Sequence, residues 1–132
     1  MSREKLQDLT RTRKWAHQKL IGKGSGVYKA FLELEKATYS DGALKKREKE
    51  LIAIGISVRI NCESCIQWHI GQAAAAGASY DEVLEAFEIG IEMGGGPATV
   101  SARLALQVME AVYEKQFWTA HWLHLIRAQE RQ

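Results

Sequence analysis

The stretch Cys62-Glu63-Ser64-Cys65-Ile66-Gln67-Trp68-His69 holds the only two cysteines of the chain and one of its four histidines. On a helix, at 100° per residue, Cys62, Cys65 and His69 fall within an arc of roughly 60°, so two sulfurs and an imidazole can work on one reacting atom. Residues three apart on a helix have Cα atoms on the order of 5 Å apart, inside the range a disulfide accepts, so the pair can close and open reversibly. In the first helical turn, unpaired N–H groups and the positive dipole end stabilise a thiolate and lower a cysteine pKa from its usual ~8.5. His69, four residues past Cys65, stands where a base would draw that proton directly or through one water. Two other readings use the same residue types. Cys62, Cys65 and His69 supply three metal ligands from one helix but no fourth, and two small hydrophobes with a core histidine would do no chemistry at all. Haem attachment needs the histidine directly after the second cysteine, and here it stands four later.

The elements that must position these groups are helical. From Cys62 to Ala76 the alanines and the lack of breakers favour helix, with Asn61 expected as N-cap and Gly77 as a left-handed C-cap. Ser79-Tyr80-Asp81-Glu82 fits a capping box that opens the next helix, which stops at Gly94-Gly95-Gly96. Pro97 suits a first helical position and starts a further helix through Val112. Ala43 to Asn61 is ambiguous. Ile52, Ile54, Ile56, Val58 and Ile60 alternate with smaller or polar residues, the period of a half-buried strand, yet they follow a helix-favouring segment with no turn between. We assign helix there. Upstream, Val27, Phe31, Leu32 and Leu34 form a stripe behind Gly22-Lys23-Gly24-Ser25-Gly26. That glycine run lacks the upstream glycine and the Lys-Ser/Thr pair of a phosphate loop and reads as a hinge.

At 132 residues, with 46% hydrophobic and 26% charged positions, the chain has the size of one soluble domain over 1–132. Its core is expected at about 27–114, with a basic N-terminal helix or arm over 1–23 and an aromatic C-terminal helix over 116–131. One proline against 11 glycines argues against a turn-rich sandwich or barrel. A net charge of +2 is far from the basic excess a phosphate backbone demands, so nucleic acid is not expected as a partner. No signal peptide or membrane-length apolar run is visible, which points to the cytoplasm. There, a closely spaced cysteine pair is redox-active or metal-binding rather than architectural. The tail gathers Phe117, Trp118, Trp122, Leu125 and Ile126 and reads as a subunit contact. His121 and His124 within it are two potential ligands, too few for a metal site.

Taken together, Lys49-Glu50-Leu51-Ile52-Ala53, Cys62-Glu63-Ser64-Cys65, His69, Gly77-Ala78-Ser79 and Met93-Gly94-Gly95-Gly96-Pro97 resemble the alkylhydroperoxidase D (AhpD-like) branch of the carboxymuconolactone decarboxylase superfamily, across roughly Val27 to Glu114. The resemblance implies an all-α bundle of about six helices, assembled as a homotrimer or homohexamer, with the cysteine pair near a subunit boundary. It implies a thiol-dependent peroxidase or disulfide oxidoreductase that needs no cofactor and no metal. Its substrates would be a hydroperoxide and a lipoyl-like or thioredoxin-like dithiol. Carried over by position, the catalytic set is Cys65, Cys62, His69 and Glu50, with Glu50 orienting His69. Taken without the resemblance, Glu50 would be one more charge on a solvated face with Lys46, Arg47 and Lys49. Peroxidase members of the branch often carry histidine before the second cysteine. Here Ser64 stands there, a hydroxyl that is no base near neutrality, and slower peroxide turnover is implied. The alternatives are a decarboxylase-type enzyme acting on a small lactone or carboxylate through Glu50 and His69, and a metal-binding helical interaction module.

Overall fold

The computed structural model describes the backbone of residues 3–131 and the side chains of these except 115–124, 126 and 130. Six helices make up the described chain: α1 (Arg3–Gly22), α2 (Gly26–Thr38), α3 (Lys46–Arg59), α4 (Glu63–Ala75), α5 (Tyr80–Gly94) and α6 (Gly96–Glu130). The all-α expectation holds, and among the described residues there is no strand.

Helix α3 explains its own misleading period. At 100° per residue, Ile54 and Val58 lie on one side and Ile52, Ile56 and Ile60 on nearly the opposite side. The first two have no solvent exposure, whereas Ile52, Ile56 and Ile60 are 52%, 56% and 59% exposed. A helix apolar on two faces mimics the alternation of a strand. Its inner face packs on α5, where glycines let the backbones meet: a Cβ on Gly90 would lie 2.5 Å from the carbonyl oxygen of Gly55. Helices α4 and α6 close the core, to which Ile66, Ile70, Val83, Phe87 and Met109 contribute buried side chains.

The turns follow their expected chemistry with one exception. Gly77 takes a positive φ of 92° after α4. Ser79 and Glu82 form the reciprocal capping box of α5, and Pro97 stands in the first turn of α6. The N-cap of α4, however, is Cys62, not Asn61. Asn61 instead adopts a left-handed φ of 57°, and its Oδ1 accepts a hydrogen bond from Ser101 on α6 at 2.6 Å. The Asn61 side chain thus ties the loop to a neighbouring helix. A second difference concerns the C-terminal half. The backbone from Gly96 to Glu130 is one continuous helix rather than a helix followed by a separate one over 116–131. No glycine or proline interrupts it after Pro97. The side chains of Phe117, Trp118, His121, Trp122, His124 and Ile126 lie outside the described residues.

Neither α1 nor α2 has a buried residue. The glycine hinge folds them into a hairpin through Gly24, at φ 68°. Polar contacts seat this hairpin on α4. Gln67 Nε2 donates to the Leu6 carbonyl at 3.1 Å and to Thr10 Oγ1 at 2.9 Å, and Trp68 Nε1 donates to Glu35 Oε1 at 3.0 Å.

Candidate active site

The site is assembled where α4 begins, beneath the α1–α2 hairpin. Cys62, as N-cap, directs its Sγ at the start of the helix and accepts from the Cys65 backbone N–H at 3.3 Å. Cys65 is therefore the third residue of the first turn, where helical N–H groups have no carbonyl partner of their own and the dipole favours negative charge. The two sulfurs are joined in a disulfide, with Cα atoms 5.2 Å apart. The two sulfurs meet at the helix start as their spacing allows, although Cys62 stands outside the helix proper.

One turn further along α4, His69 turns inward. Its Nδ1–H donates to Glu50 Oε2 at 2.7 Å. Glu50 reaches this position from α3, four residues after Lys46, whose Nζ donates to the other carboxylate oxygen, Oε1, at 2.8 Å. Glu50 is 1% exposed. It is not a member of a solvated charged face: the turn of α3 that carries it faces the core, and only the Lys46 amine reaches back towards water. Burial pushes the Glu50 carboxyl up, but hydrogen bonds from His69 and Lys46, together with the nearby Lys46 charge, outweigh it and hold the group below its usual range. An ionised carboxylate only accepts hydrogen bonds, so the proton at this contact belongs to His69 Nδ1 and leaves Nε2 as the basic nitrogen.

Tyr39, at the end of α2, completes the surround. Its ring lies against His69 with centroids 5.2 Å apart, and Lys46 Nζ stands 5.6 Å from the Tyr39 centroid. Burial first, then the nearby Glu50 and Glu35 carboxylates, raise the phenol pKa, so Tyr39 is neutral. The sequence argument missed both Lys46 and Tyr39. The i,i+4 spacing of Lys46 and Glu50 carried a usable signal. Nothing local marks Tyr39, which arrives through the α2–α3 connection.

Cys65, His69, Glu50, Lys46 and Tyr39 all line one cleft of about 1030 Å³ between the hairpin and the α3–α4 layer, and Ser64 lines it too. Cys62 is half-buried and is not among its lining residues. In the disulfide neither sulfur has a thiolate to give a metal, and among the described residues no three His, Cys, Asp or Glu side chains are grouped to hold one.

This chain, with a Cys-x-x-Cys disulfide at a helix start and a buried Glu–His pair behind it, is similar to known proteins in sequence and in fold. The sequence matches the carboxymuconolactone decarboxylase family over residues 25–108, and the chain belongs to that family. An uncharacterized protein of the cox locus of Paracoccus denitrificans is 37% identical over 89 residues, 67% of this chain and 80% of that protein. The apo crystal structure of a family member from Legionella pneumophila is similar at a TM-score of 0.78 and 31% identity, covering 83% of this chain and 97% of that one. A Thermotoga maritima member, for which a role in the antioxidative response has been suggested, gives 0.75 at 28% identity, covering 83% and 92%.

Proposed function

We propose that the chain is an AhpD-like thiol peroxidase and disulfide oxidoreductase in which Cys65 is the attacking sulfur. The observation that carries this reading is the joint placement of Cys65 at the amino end of α4 and of His69, backed by buried Glu50, around one cleft. In the dithiol form His69 Nε2 takes the Cys65 proton, and the helix end stabilises the resulting thiolate. The thiolate attacks the terminal oxygen of a hydroperoxide, the O–O bond breaks, and the departing alkoxide takes the proton from His69 to leave as an alcohol. Cys65 is then a sulfenic acid. The Cys62 thiol attacks its sulfur, the S–O bond breaks, water leaves, and the disulfide forms. An external dithiol, lipoyl-like or thioredoxin-like, attacks Cys65 from the cleft and leaves as its own disulfide, restoring both thiols.

Copies of the chain are proposed to associate as a trimer or hexamer. The exposed apolar stripe of Ile52, Ile56 and Ile60, with Ile89 and Met93 also exposed on adjacent α5, supports this assembly. No helix of the described residues is long and apolar enough to cross a membrane.

Steady-state turnover of cumene hydroperoxide with dihydrolipoamide tests the redox reading. Cys65→Ser is expected to abolish turnover, and Cys62→Ser to halt after one oxidation with a trappable sulfenic acid. A Cys65→Ser protein as active as wild type overturns the assignment. The Glu50–His69 pair also suits acid–base work on a small lactone or carboxylate. Activity on such a substrate in a Cys62→Ala, Cys65→Ala double variant would favour that reading.

A further inference from the structure

We infer that the cleft selects an anionic amphiphile: the hydroperoxide of a long-chain carboxylic acid, with the carboxylate held at the hairpin rim by Arg13, Lys14 and Lys36. The inference deepens the thiol-peroxidase reading and rests on it.

Size and lining both point this way. A cleft of about 1030 Å³ matches the upper end of sites that enclose drug-sized ligands and is far larger than hydrogen peroxide requires. Its walls include Phe31, Leu32, Tyr39 and Trp68, an apolar lining that small polar peroxides would not use. The charges around it do not balance. Each acid of the lining already has a partner: Glu35 accepts from the Trp68 indole, Asp41 from the Lys46 backbone N–H, and Glu50 from Lys46 and His69. Of the cations, Lys46 is paired with Glu50, while Arg13, Lys14 and Lys36 form no ion pair among the described residues. The lining thus holds four cations, Arg13, Lys14, Lys36 and Lys46, against three carboxylates, Glu35, Asp41 and Glu50, an excess of one positive charge beside an apolar wall. A carboxylate supplies the missing charge, and an alkyl chain the missing contact area.

The Arg13 guanidinium lies 4.8 Å from the centre of the Trp68 ring, so a cation stands at the edge of the apolar wall that Trp68 gives the cleft. The redox step is the one given above: two electrons pass from Cys62 and Cys65 to the peroxide, giving the hydroxy acid, water and the disulfide, and the external dithiol restores the thiols.

The test compares single-turnover oxidation of the reduced protein by linoleic acid hydroperoxide, below its micellar concentration, with oxidation by its methyl ester. The acid is expected to react about tenfold more efficiently, as one charge-assisted contact would give, and the advantage is expected to shrink at high salt. In a Lys14→Glu, Lys36→Glu variant, which leaves the Arg13–Trp68 stack in place, the acid-to-ester ratio should fall to one or below. Equal rates for acid and ester in wild type, or an unchanged ratio in the variant, overturn the inference. Calorimetric titration of the disulfide form with linoleic acid itself separates this from the peroxidase reading, because binding needs no chemistry. Salt-sensitive binding that the variant loses upholds the carboxylate site. If no hydroperoxide is consumed at all, the peroxidase reading falls and with it the role of this ligand as an oxidant. If cumene hydroperoxide is consumed but linoleic acid does not bind, the peroxidase reading stands and the proposed site falls.

Discussion

Glu50 carries the electrostatics of the site. A carboxylate with 1% exposure is tolerable only because Lys46 and His69 each donate to one of its oxygens. Its folded pKa is lowered, so the stability it contributes is fully present above the unfolded value of about 4.5 and is lost as the pH falls through the lower folded value. Glu50→Gln is therefore expected to lower the melting temperature by a constant margin above about pH 4.5, and the margin should narrow in more acidic buffer, which calorimetry across pH 3 to 7 reads directly. The neutral amide costs about 1–3 kcal/mol, the scale of a buried polar group left imperfectly paired. The same variant should show a higher thiolate pKa at Cys65 by ultraviolet titration of the reduced protein, because the base behind the sulfur loses its charged support. An unchanged titration would detach Glu50 from the chemistry. Ser64 belongs to this scale as well. Exposed and lining the cleft, it offers no base, and Ser64→His is expected to speed the reaction with hydroperoxide in stopped-flow traces.

At the scale of elements, what the sequence made legible was local. Capping chemistry at Ser79, the left-handed stop at Gly77 and the Pro97 start are each decided within a few residues, and each is found in the structure. Asn61 was misjudged because two residues there compete for one cap. Cys62 takes it through its sulfur, while Asn61 is drawn to Ser101, forty positions away and invisible to a local window. The strand-like period of α3 had the same origin. Its outer isoleucines answer to something other than the core of this chain, so no single-face template describes them. Family resemblance, not periodicity, pointed to Glu50, since six charged residues in a row, Lys45 to Glu50, hide which one turns inward. The α3–α5 contact gives a further prediction. Gly90→Ala places a methyl group 2.5 Å from the Gly55 carbonyl oxygen, with Val58 Cβ at 2.9 Å. Both neighbours are on packed helix, and a loss of about 1–3 kcal/mol in denaturant unfolding is expected. Gly22→Ala, which meets nothing within 4 Å, is the matched control.

For the whole molecule, the distribution of apolar surface is the informative quantity. Val27 at 85%, Phe31 at 56% and Leu34 at 62% exposure on α2 lie apart from the isoleucine stripe of α3. A chain of this size does not ordinarily leave so many large apolar groups in water. If copies associate through the α3 stripe as proposed, Ile56→Glu is expected to give smaller species than wild type in sedimentation velocity, and an unchanged sedimentation coefficient would rule that face out as the contact. The hairpin of α1 and α2 is held by polar contacts to α4 and by partly buried Leu6, with no fully buried side chain, so its amides should exchange faster than those of α3 and α5.

The proposed chemistry requires the sulfur pair to be a working redox couple rather than a fixed crosslink. Fully reduced protein mixed with one equivalent of hydroperoxide, quenched and mapped by peptide mass spectrometry, measures this most directly. The prediction is stoichiometric loss of peroxide, with a Cys62–Cys65 disulfide formed in the same proportion and reversed by a dithiol. Peroxide that survives contact with the reduced protein, or is consumed while both thiols remain free, would contradict it.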